Sequence, residues 1–247
     1  MSDSIGQGRV EEIGSVAVPY KEWGRFRRAF RRLVHVLSSQ FIYEMRRTRI
    51  TKVAGFRLTV PPTVFHPRWF ITSEFFATFI SRLDLSGLKV ADVGTGTGIL
   101  ALSAARAGAS HVTAIDINVN AVRAAIDNAR ANGFADRVEA VKSNLLADLP
   151  SDVRYDVILS SPPSFPGEPQ SLADRAWHAG PEYRDIIPLF EQARQRLAPN
   201  GRLYLLLSSD SHPDYLTGLA QRTGLKSSLV ERRSLLVEAF LIYELTN

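Results

Sequence analysis

The amino-acid sequence predicts an α/β protein with a doubly wound, seven-stranded sheet that ends in an antiparallel strand. Five short apolar segments after residue 88 are interspersed with helical segments, which is typical of a parallel sheet with helices on both faces. A glycine-rich loop follows the first of these strands, and two strand-like segments without a helix between them close the chain. We expect those last two strands to pair antiparallel, because a parallel crossover needs a dozen or more residues.

Each element follows from a local signal. LKVADV is the first strand, and the helix after it, GILALSAARAGA, ends at a glycine. HVTAID is the second strand, and its helix is capped by Asn118 or Asn120 and ends at Gly133. VEAVKS and YDVILSS are the next two strands. A helix with an Asn-Gly turn, the strand RLYLLLSS, the helix PDYLTGLAQRTG and the strands KSSLVERRS and LLVEAFLIYEL complete the order.

The composition excludes several classes of protein. The 247 residues are 45% hydrophobic and 22% charged, as in ordinary globular proteins. No run of about 18 apolar residues is present, so no membrane span is expected, and the polar start of the chain does not resemble a signal peptide. The chain contains no cysteine, and its five histidines lack the spacing of metal ligands. We therefore expect a cytoplasmic protein without a metal.

Basic charge is concentrated near the N-terminus. The segment from Lys21 to Lys52 contains ten lysines and arginines and two acids, so its net charge is +8. Because the whole chain has a net charge of +5, the remaining residues sum to −3. Apolar residues at helical spacing from Trp23 to Phe41 predict an amphipathic helix here. We expect a mobile tail over residues 1–15, a basic, aromatic-rich helical lid over 16–87 and a second domain over 88–247. The basic face is either solvated surface or a surface for RNA or protein.

Polar residues follow the first three strands of the second domain. The glycine loop runs from Asp92 to Gly98, and glycines there allow a tight turn and close approach of a ligand. The spacing of its glycines differs from the dinucleotide fingerprint, and the chain has no phosphate-loop motif. Asp116 ends the second strand, where it either binds a ribose or serves as an acid at a helix N-terminus. Asn144 follows the third strand, where it either contacts an adenine edge or caps a turn.

These residues together resemble the class I S-adenosylmethionine-dependent methyltransferases over about residues 55–247. The resemblance implies a Rossmann-like methyltransferase fold, S-adenosylmethionine as cofactor, and residues 88–247 as the catalytic domain. It implies that the glycine loop holds the methionine end of the cofactor, that Asp116 holds the ribose and that Asn144 meets the adenine. The predicted cofactor-binding residues are Asp92, Gly94, Thr95, Gly96, Thr97, Gly98, Asp116, Ile117, Ser143, Asn144 and Ser160.

The segment from Ser160 to Phe165, SSPPSF, follows the fourth strand. It is similar to the (N/D/S)PP(Y/F/W) signature of N-methyltransferases, including those that modify glutamine in release factors. Ser161 stands where the glutamine enzymes have Asn and Ser164 where they have Tyr, so Phe165 supplies the aromatic ring one residue later. The resemblance implies Ser161, Pro162 and Phe165 as catalytic residues, with no side chain acting as a strong general base. The structural alternative for the two prolines is a rigid strand exit.

Three functional hypotheses follow. The leading one is a transferase that methylates a nitrogen of a small molecule, or of an RNA or protein bound through residues 21–52, with a role in biosynthesis. The second is an S-adenosylmethionine cyclase that releases methylthioadenosine, of the kind that makes azetidine-2-carboxylate on a methyltransferase scaffold. The third is an RNA-binding or scaffold protein with a vestigial methyltransferase fold. Detection of S-adenosylhomocysteine, methylthioadenosine or neither product distinguishes the three.

Overall fold

The computed structural model describes residues 47–65, 71–235 and 238–247 of the chain. Within these residues, nine strands and five α-helices form, with two short 3-10 turns between β6 and α4. The elements in chain order are β1 Arg49–Val53, β2 Phe56–Val60, α1 Ile71–Ile80, β3 Lys89–Val93, α2 Ile99–Arg106, β4 His111–Asp116, α3 Val119–Ala131, β5 Val138–Lys142, β6 Tyr155–Ser160, α4 Ile187–Arg196, β7 Leu197–Ser208, α5 Pro213–Arg222, β8 Lys226–Ser234 and β9 Ala239–Thr246.

The main sheet has seven strands in the order β5-β4-β3-β6-β7-β9-β8. Strands β3 to β7 pair in parallel, whereas β9 pairs antiparallel with both β7 and β8. The predicted fold class and the antiparallel final pair are confirmed. The chain winds outward from β3 to β5 and then returns to β6, so the strand order reverses between β3 and β6. Ligands of such sheets bind at the carboxyl ends of the strands at this reversal.

A β-hairpin precedes the main sheet and corrects part of the helical prediction for the lid region. Residues 49–52, which we expected to be helical, lie in β1, and this strand pairs antiparallel with β2. The turn consists of Ala54 and Gly55, whose φ angles of 50° and 84° suit a tight hairpin. Buried and exposed residues alternate along β2, which is the pattern of a half-buried strand. The predicted basic helix and the tail lie outside the described residues.

The hydrophobic core has two main clusters. One joins the hairpin and α1 to strands of the sheet through Leu58, Phe76 and Val90, all of which are inaccessible to solvent. The other packs α4 and α5 against the sheet around Tyr183 and Phe190. The hairpin and α1 therefore share a core with the domain that follows them. The division into a lid over 16–87 and a catalytic domain over 88–247 stays a prediction.

Two asparagines, Asn128 in α3 and Asn132 directly after it, hold the hairpin in place. Asn128 and Asn132 lie one helical turn apart, and each bonds both backbone groups of one residue of β2, Thr59 and Arg57 respectively. Asn128 also donates to the carbonyl of Thr97 in the glycine loop, at 2.9 Å. The hairpin, α3 and the glycine loop are thus connected by a single buried amide.

Candidate cofactor and acceptor site

A cleft of about 770 Å³ opens at the carboxyl ends of the parallel strands, within the usual volume range of small-molecule sites. Every predicted site residue lines this cleft except Asp92 and Gly98. The predicted residues that line it are Gly94, Thr95, Gly96, Thr97, Asp116, Ile117, Ser143, Asn144, Ser160, Ser161, Pro162 and Phe165. The strand-end motifs of the sequence therefore meet in one place.

The glycine loop bends sharply between β3 and α2. Gly94 and Gly96 have φ angles of 79° and 54°, and a Cβ added at either would meet no atom within 4 Å. Their backbone is therefore open to a ligand, as a cofactor-binding loop requires. Gly98 differs, because a Cβ there would lie 3.1 Å from the backbone and side chain of Ala125 in α3. Gly98 allows α2 and α3 to pack closely and does not line the cleft.

Asp92 lies behind the loop and is completely buried. Its Oδ2 atom accepts hydrogen bonds from the Thr95 hydroxyl at 2.6 Å and from the Ala101 amide at 3.0 Å. Burial raises the pKa of this carboxyl group to about 7, and the negative charge of Asp116 contributes to the shift. The structure therefore places Asp92 as a support of the loop instead of a residue that lines the cleft.

Asp116 ends β4 and lines the cleft. Its Oδ1 accepts from the amide of Asn118 at 2.9 Å, and its Oδ2 accepts from the amide of Gly96 at 3.0 Å. Burial raises the pKa of Asp116, while these backbone bonds oppose the shift. A carboxylate has about four lone-pair sites, so each oxygen can accept a further bond. The two amides hold the carboxylate in a fixed orientation at the cleft.

The residues after β5 have two different roles. Ser143 is buried, and its hydroxyl accepts a hydrogen bond from the amide of Asp148 at 3.1 Å. Ser143 thus caps the turn after β5, the role that the sequence analysis gave as the alternative for its neighbour Asn144. Asn144 is exposed at the edge of the cleft beside Leu145, and its backbone is held by the carboxylate of Asp148 at 3.0 Å and the amide of Ala147 at 3.2 Å.

The loop after β6 forms another wall of the cleft. Ser160 is buried and donates to the carbonyl of Val93 at 3.1 Å, whereas Ser161 is exposed at the strand end. The backbone of Phe165 bonds the carbonyl of Trp177 at 3.0 Å and the amide of Ala179 at 2.9 Å. These bonds fix the position of the Phe165 backbone at the cleft.

Aromatic residues from distant segments complete this wall. The rings of Phe65 and Trp177 meet edge to face with centroids 5.3 Å apart, and both residues line the cleft. The hydroxyl of buried Tyr183 lies 3.4 Å from the carbonyl of Ser164 and 3.0 Å from Nδ1 of His212. Tyr183 therefore supports the proline loop from behind. Sequence reasoning did not identify Tyr183, because these contacts join segments far apart in the chain.

The C-terminal hairpin contributes residues that sequence reasoning missed. Glu238, Leu235 and Phe240 line the cleft. The hydroxyl of Ser208, at the end of β7, donates a short hydrogen bond to Oε1 of Glu238. Burial raises the pKa of Glu238. The signal in the sequence was a single acid within the apolar run LLVEAFLIY.

Over the described ranges, no group of three or more His, Cys, Asp or Glu side chains is arranged to hold a metal ion. In the same part of the chain, no helix is long and apolar enough to cross a membrane.

The chain is similar in sequence to known methyltransferases. The profile of the family "Ribosomal protein L11 methyltransferase (PrmA)" matches residues 72–161. The ribosomal protein L11 methyltransferase of Methylococcus capsulatus is 30% identical over 153 residues, which are 62% of this chain and 44% of that protein. The tRNA1(Val) (adenine(37)-N6)-methyltransferase of Parabacteroides distasonis is 31% identical over 144 residues, 57% of this chain and 60% of that protein. This chain thus spans less than two thirds of either relative.

A solved structure has the same fold. The 16S rRNA N2 G1207 methyltransferase of Thermus thermophilus, in complex with AdoMet and guanosine, superposes with a TM-score of 0.60 at 20% identity. The match covers 80% of this chain and 50% of that one. The fold is therefore the Rossmann-like methyltransferase fold. The sequence relatives support the predicted enzyme class, the S-adenosylmethionine-dependent methyltransferases.

Proposed function

We propose that the protein is an S-adenosylmethionine-dependent methyltransferase that methylates a nitrogen atom. One observation carries this proposal: the glycine loop, Asp116 and the segment from Ser161 to Phe165 all line one cleft. The first two are suited to the cofactor, and the third resembles the acceptor motif of N-methyltransferases. Cofactor and acceptor would then meet at the point where the strand order reverses.

The cofactor half of the cleft fits S-adenosylmethionine. The open backbone of Gly94 and Gly96 would receive the methionine end, and the oriented carboxylate of Asp116 would accept hydrogen bonds from the ribose. Ile117 and Asn144 stand at the cleft edge after β4 and β5, where the adenine would lie. When bound, the cofactor supplies an electrophilic methyl group on a sulfonium and leaves as a neutral thioether.

The acceptor half of the cleft positions a nitrogen lone pair. The hydroxyl of Ser161 and the carbonyl of Pro162 would accept hydrogen bonds from the acceptor N–H groups. Phe165 and Trp177 would exclude water and favour a planar or apolar acceptor. Because the leaving group is neutral and needs no acid, positioning supplies much of the catalysis. A nitrogen that is protonated in solution must lose its proton before it attacks.

Most residues proposed to bind the acceptor lie in the part of the chain that the L11 profile does not match. That match ends at Ser161, so the prolines, Phe165 and Trp177 lie beyond it. The relatives are named for ribosomal protein L11 and for a tRNA adenine, and these names favour a nitrogen in a macromolecule over the small molecule that the sequence analysis placed first. The basic residues between Lys21 and Lys52 suit contact with RNA, which is compatible with an RNA acceptor and with a protein acceptor bound to RNA. We propose that the enzyme acts in the cytoplasm.

The test is a product assay with S-adenosylmethionine labelled in its methyl group. The full chain is incubated with total RNA, with ribosomal protein or with a small-molecule extract, and the Asp116→Ala variant serves as the control. We expect S-adenosylhomocysteine and label in the RNA or the ribosomal-protein fraction. Methylthioadenosine without transfer of label would identify a cyclase. Bound cofactor with neither product from any fraction would overturn the proposal.

A further inference from the structure

Glu238 lies in the acceptor half of the cleft. The order β3-β6-β7-β9 runs from the glycine loop, past the proline loop, to the start of β9. Phe240 pairs with Ser208, and Ser160 pairs with Leu205, three residues earlier on β7. Glu238 therefore stands beyond the strand end at Ser160, on the side of β6 away from Asp116. Two strands, β6 and β7, lie between β9 and the strand β3 that carries the glycine loop.

The carboxylate of Glu238 is held in a fixed position. Its Oε1 atom accepts a hydrogen bond from the hydroxyl of Ser208. The oxygen of that hydroxyl accepts a hydrogen bond from the amide of Asp210 at 2.9 Å. The next residue, Ala239, exchanges hydrogen bonds with Ser209 at 2.7 and 3.0 Å. Leu206, Leu235 and Phe240 line the cleft around it. These contacts use Oε1 of Glu238, so Oε2 can accept a hydrogen bond from a ligand in this largely apolar part of the cleft.

The charge of Glu238 lacks a counterion among the residues that the structure describes. The ion pairs found there join arginines and histidines to other acids, among them Glu231 and Glu244. Burial raises the pKa of Glu238, and the nearby charge of Asp210 adds to the effect. A carboxylate removed from water is stabilised only when a cation or hydrogen-bond donors reach it. A ligand that enters the cleft can supply such a group.

We propose that Glu238 selects acceptors that carry a cationic amino group and binds this group through Oε2. The inference rests on the proposed function, since it assigns the acceptor half of that site. Glu238 acts here as a specificity residue, and an anionic group at the same point of the acceptor is disfavoured by charge repulsion. The apolar residues around it favour an alkyl chain between the amine and the remainder of the acceptor.

The test uses n-butylammonium chloride as the probe and n-butanol as its neutral counterpart. The full chain is saturated with S-adenosylhomocysteine, and each probe is titrated by calorimetry at millimolar concentrations. Glu238→Gln should bind n-butylammonium about tenfold more weakly and n-butanol equally well, because only the charge is removed. Glu231→Gln is the matched control, because Glu231 lies on β8, forms an ion pair with Arg82 and does not line the cleft. Ser208→Ala is the second variant if Glu238→Gln unfolds, and it should weaken n-butylammonium alone.

Three outcomes overturn the inference. The wild-type protein could bind both probes equally or neither of them, or the variants could bind n-butylammonium as the wild type does. A loss of S-adenosylhomocysteine affinity in Glu238→Gln would place Glu238 in the cofactor site instead. Failure of the proposed function is distinguishable, because it would remove methyl transfer while the selective binding of n-butylammonium persisted. Methyl transfer with unselective binding would contradict the inference alone.

Discussion

Replacing Asn128 with alanine should remove the hydrogen bonds that connect the hairpin to the glycine loop. The side chain of Asn128 is fully buried and makes three hydrogen bonds to the backbone. It accepts from the amide of Thr59 at 2.7 Å and donates to the carbonyls of Thr59 and Thr97 at 3.0 and 2.9 Å. Alanine leaves all three backbone groups without this partner in a place that water enters poorly.

The magnitude follows from these three groups. Each buried backbone group that loses its partner costs about 1 kcal/mol or more, so Asn128→Ala should lower the free energy of unfolding by about 3 kcal/mol. For a chain of this size, that corresponds to a melting temperature lower by about 6–12 °C. The carbonyl of Thr97 belongs to the glycine loop, so the affinity for S-adenosylmethionine should fall as well.

Asn132 offers a matched control directly after the same helix. It also makes three backbone hydrogen bonds, with the amide and carbonyl of Arg57 and with the carbonyl of Asn128. Because it lies on the more exposed side, water can replace these bonds, and Asn132→Ala should cost only about 1 kcal/mol. Denaturant unfolding and calorimetric cofactor titration measure both effects. Equal losses for the two variants, or unchanged cofactor affinity in Asn128→Ala, would refute the reasoning.

Three further predictions concern the cleft. Asp116→Ala should weaken S-adenosylmethionine binding by about 1–3 kcal/mol, or about 5- to 150-fold, from lost bonds to a charged acceptor; unchanged calorimetry would remove Asp116 from the ribose site. Ser161→Ala should lower turnover without changing cofactor affinity, and unaltered steady-state kinetics would contradict the acceptor site. Folded Asp92 keeps its proton up to about pH 7, whereas its ordinary pKa is 3.8, so wild-type stability should fall as pH rises through this window. Asp92→Asn should flatten that fall in melting temperature, and an equal slope in both proteins would contradict it.

Much of the fold was predictable because local signals and the sheet agree. Strands β3, β4, β6 and β7 are each followed by an α-helix before the next strand, and Asn118 caps α3 through the amide of Asn120 at 3.0 Å. Strand β5 is the exception among the parallel strands, because only turns join it to β6. The hairpin at residues 49–60 was missed because its basic residues were assigned to a helical lid. Its decisive features are the two positive φ angles at Ala54 and Gly55 and the alternating burial of β2. The alternation of buried and exposed residues extends over only five residues of β2. So short a pattern is a weaker signal than the helical spacing of apolar residues from Trp23 to Phe41, so the whole region was predicted to be helical.

In the candidate site, too, the residues that follow local sequence signals were predictable and those placed by long-range contacts were not. The cofactor residues follow the ends of consecutive strands, so their position in the sequence predicts their position in space. Asp92 and Gly98 were assigned to the cofactor because they share the loop motif, yet burial and helix packing account for both. Glu238 lines the cleft from the start of β9, and Tyr183 supports the proline loop without lining the cleft. Only the folded arrangement brings them to residues of β7 and the proline loop, so no local pattern could identify them.

The two halves of the cleft are therefore built in different ways. The cofactor half rests on β3, β4 and β5, and most of it lies within residues 72–161, where the L11 profile matches. The acceptor half begins where that match ends, in a loop held by long-range bonds of Tyr183 to Ser164 and His212. Tyr183 and Glu182 have positive φ angles of 64° and 53°, a strained backbone that only the surrounding packing maintains. Because the sheet does not depend on this loop for its strand pairing, the acceptor wall can differ among relatives while the cofactor half stays the same.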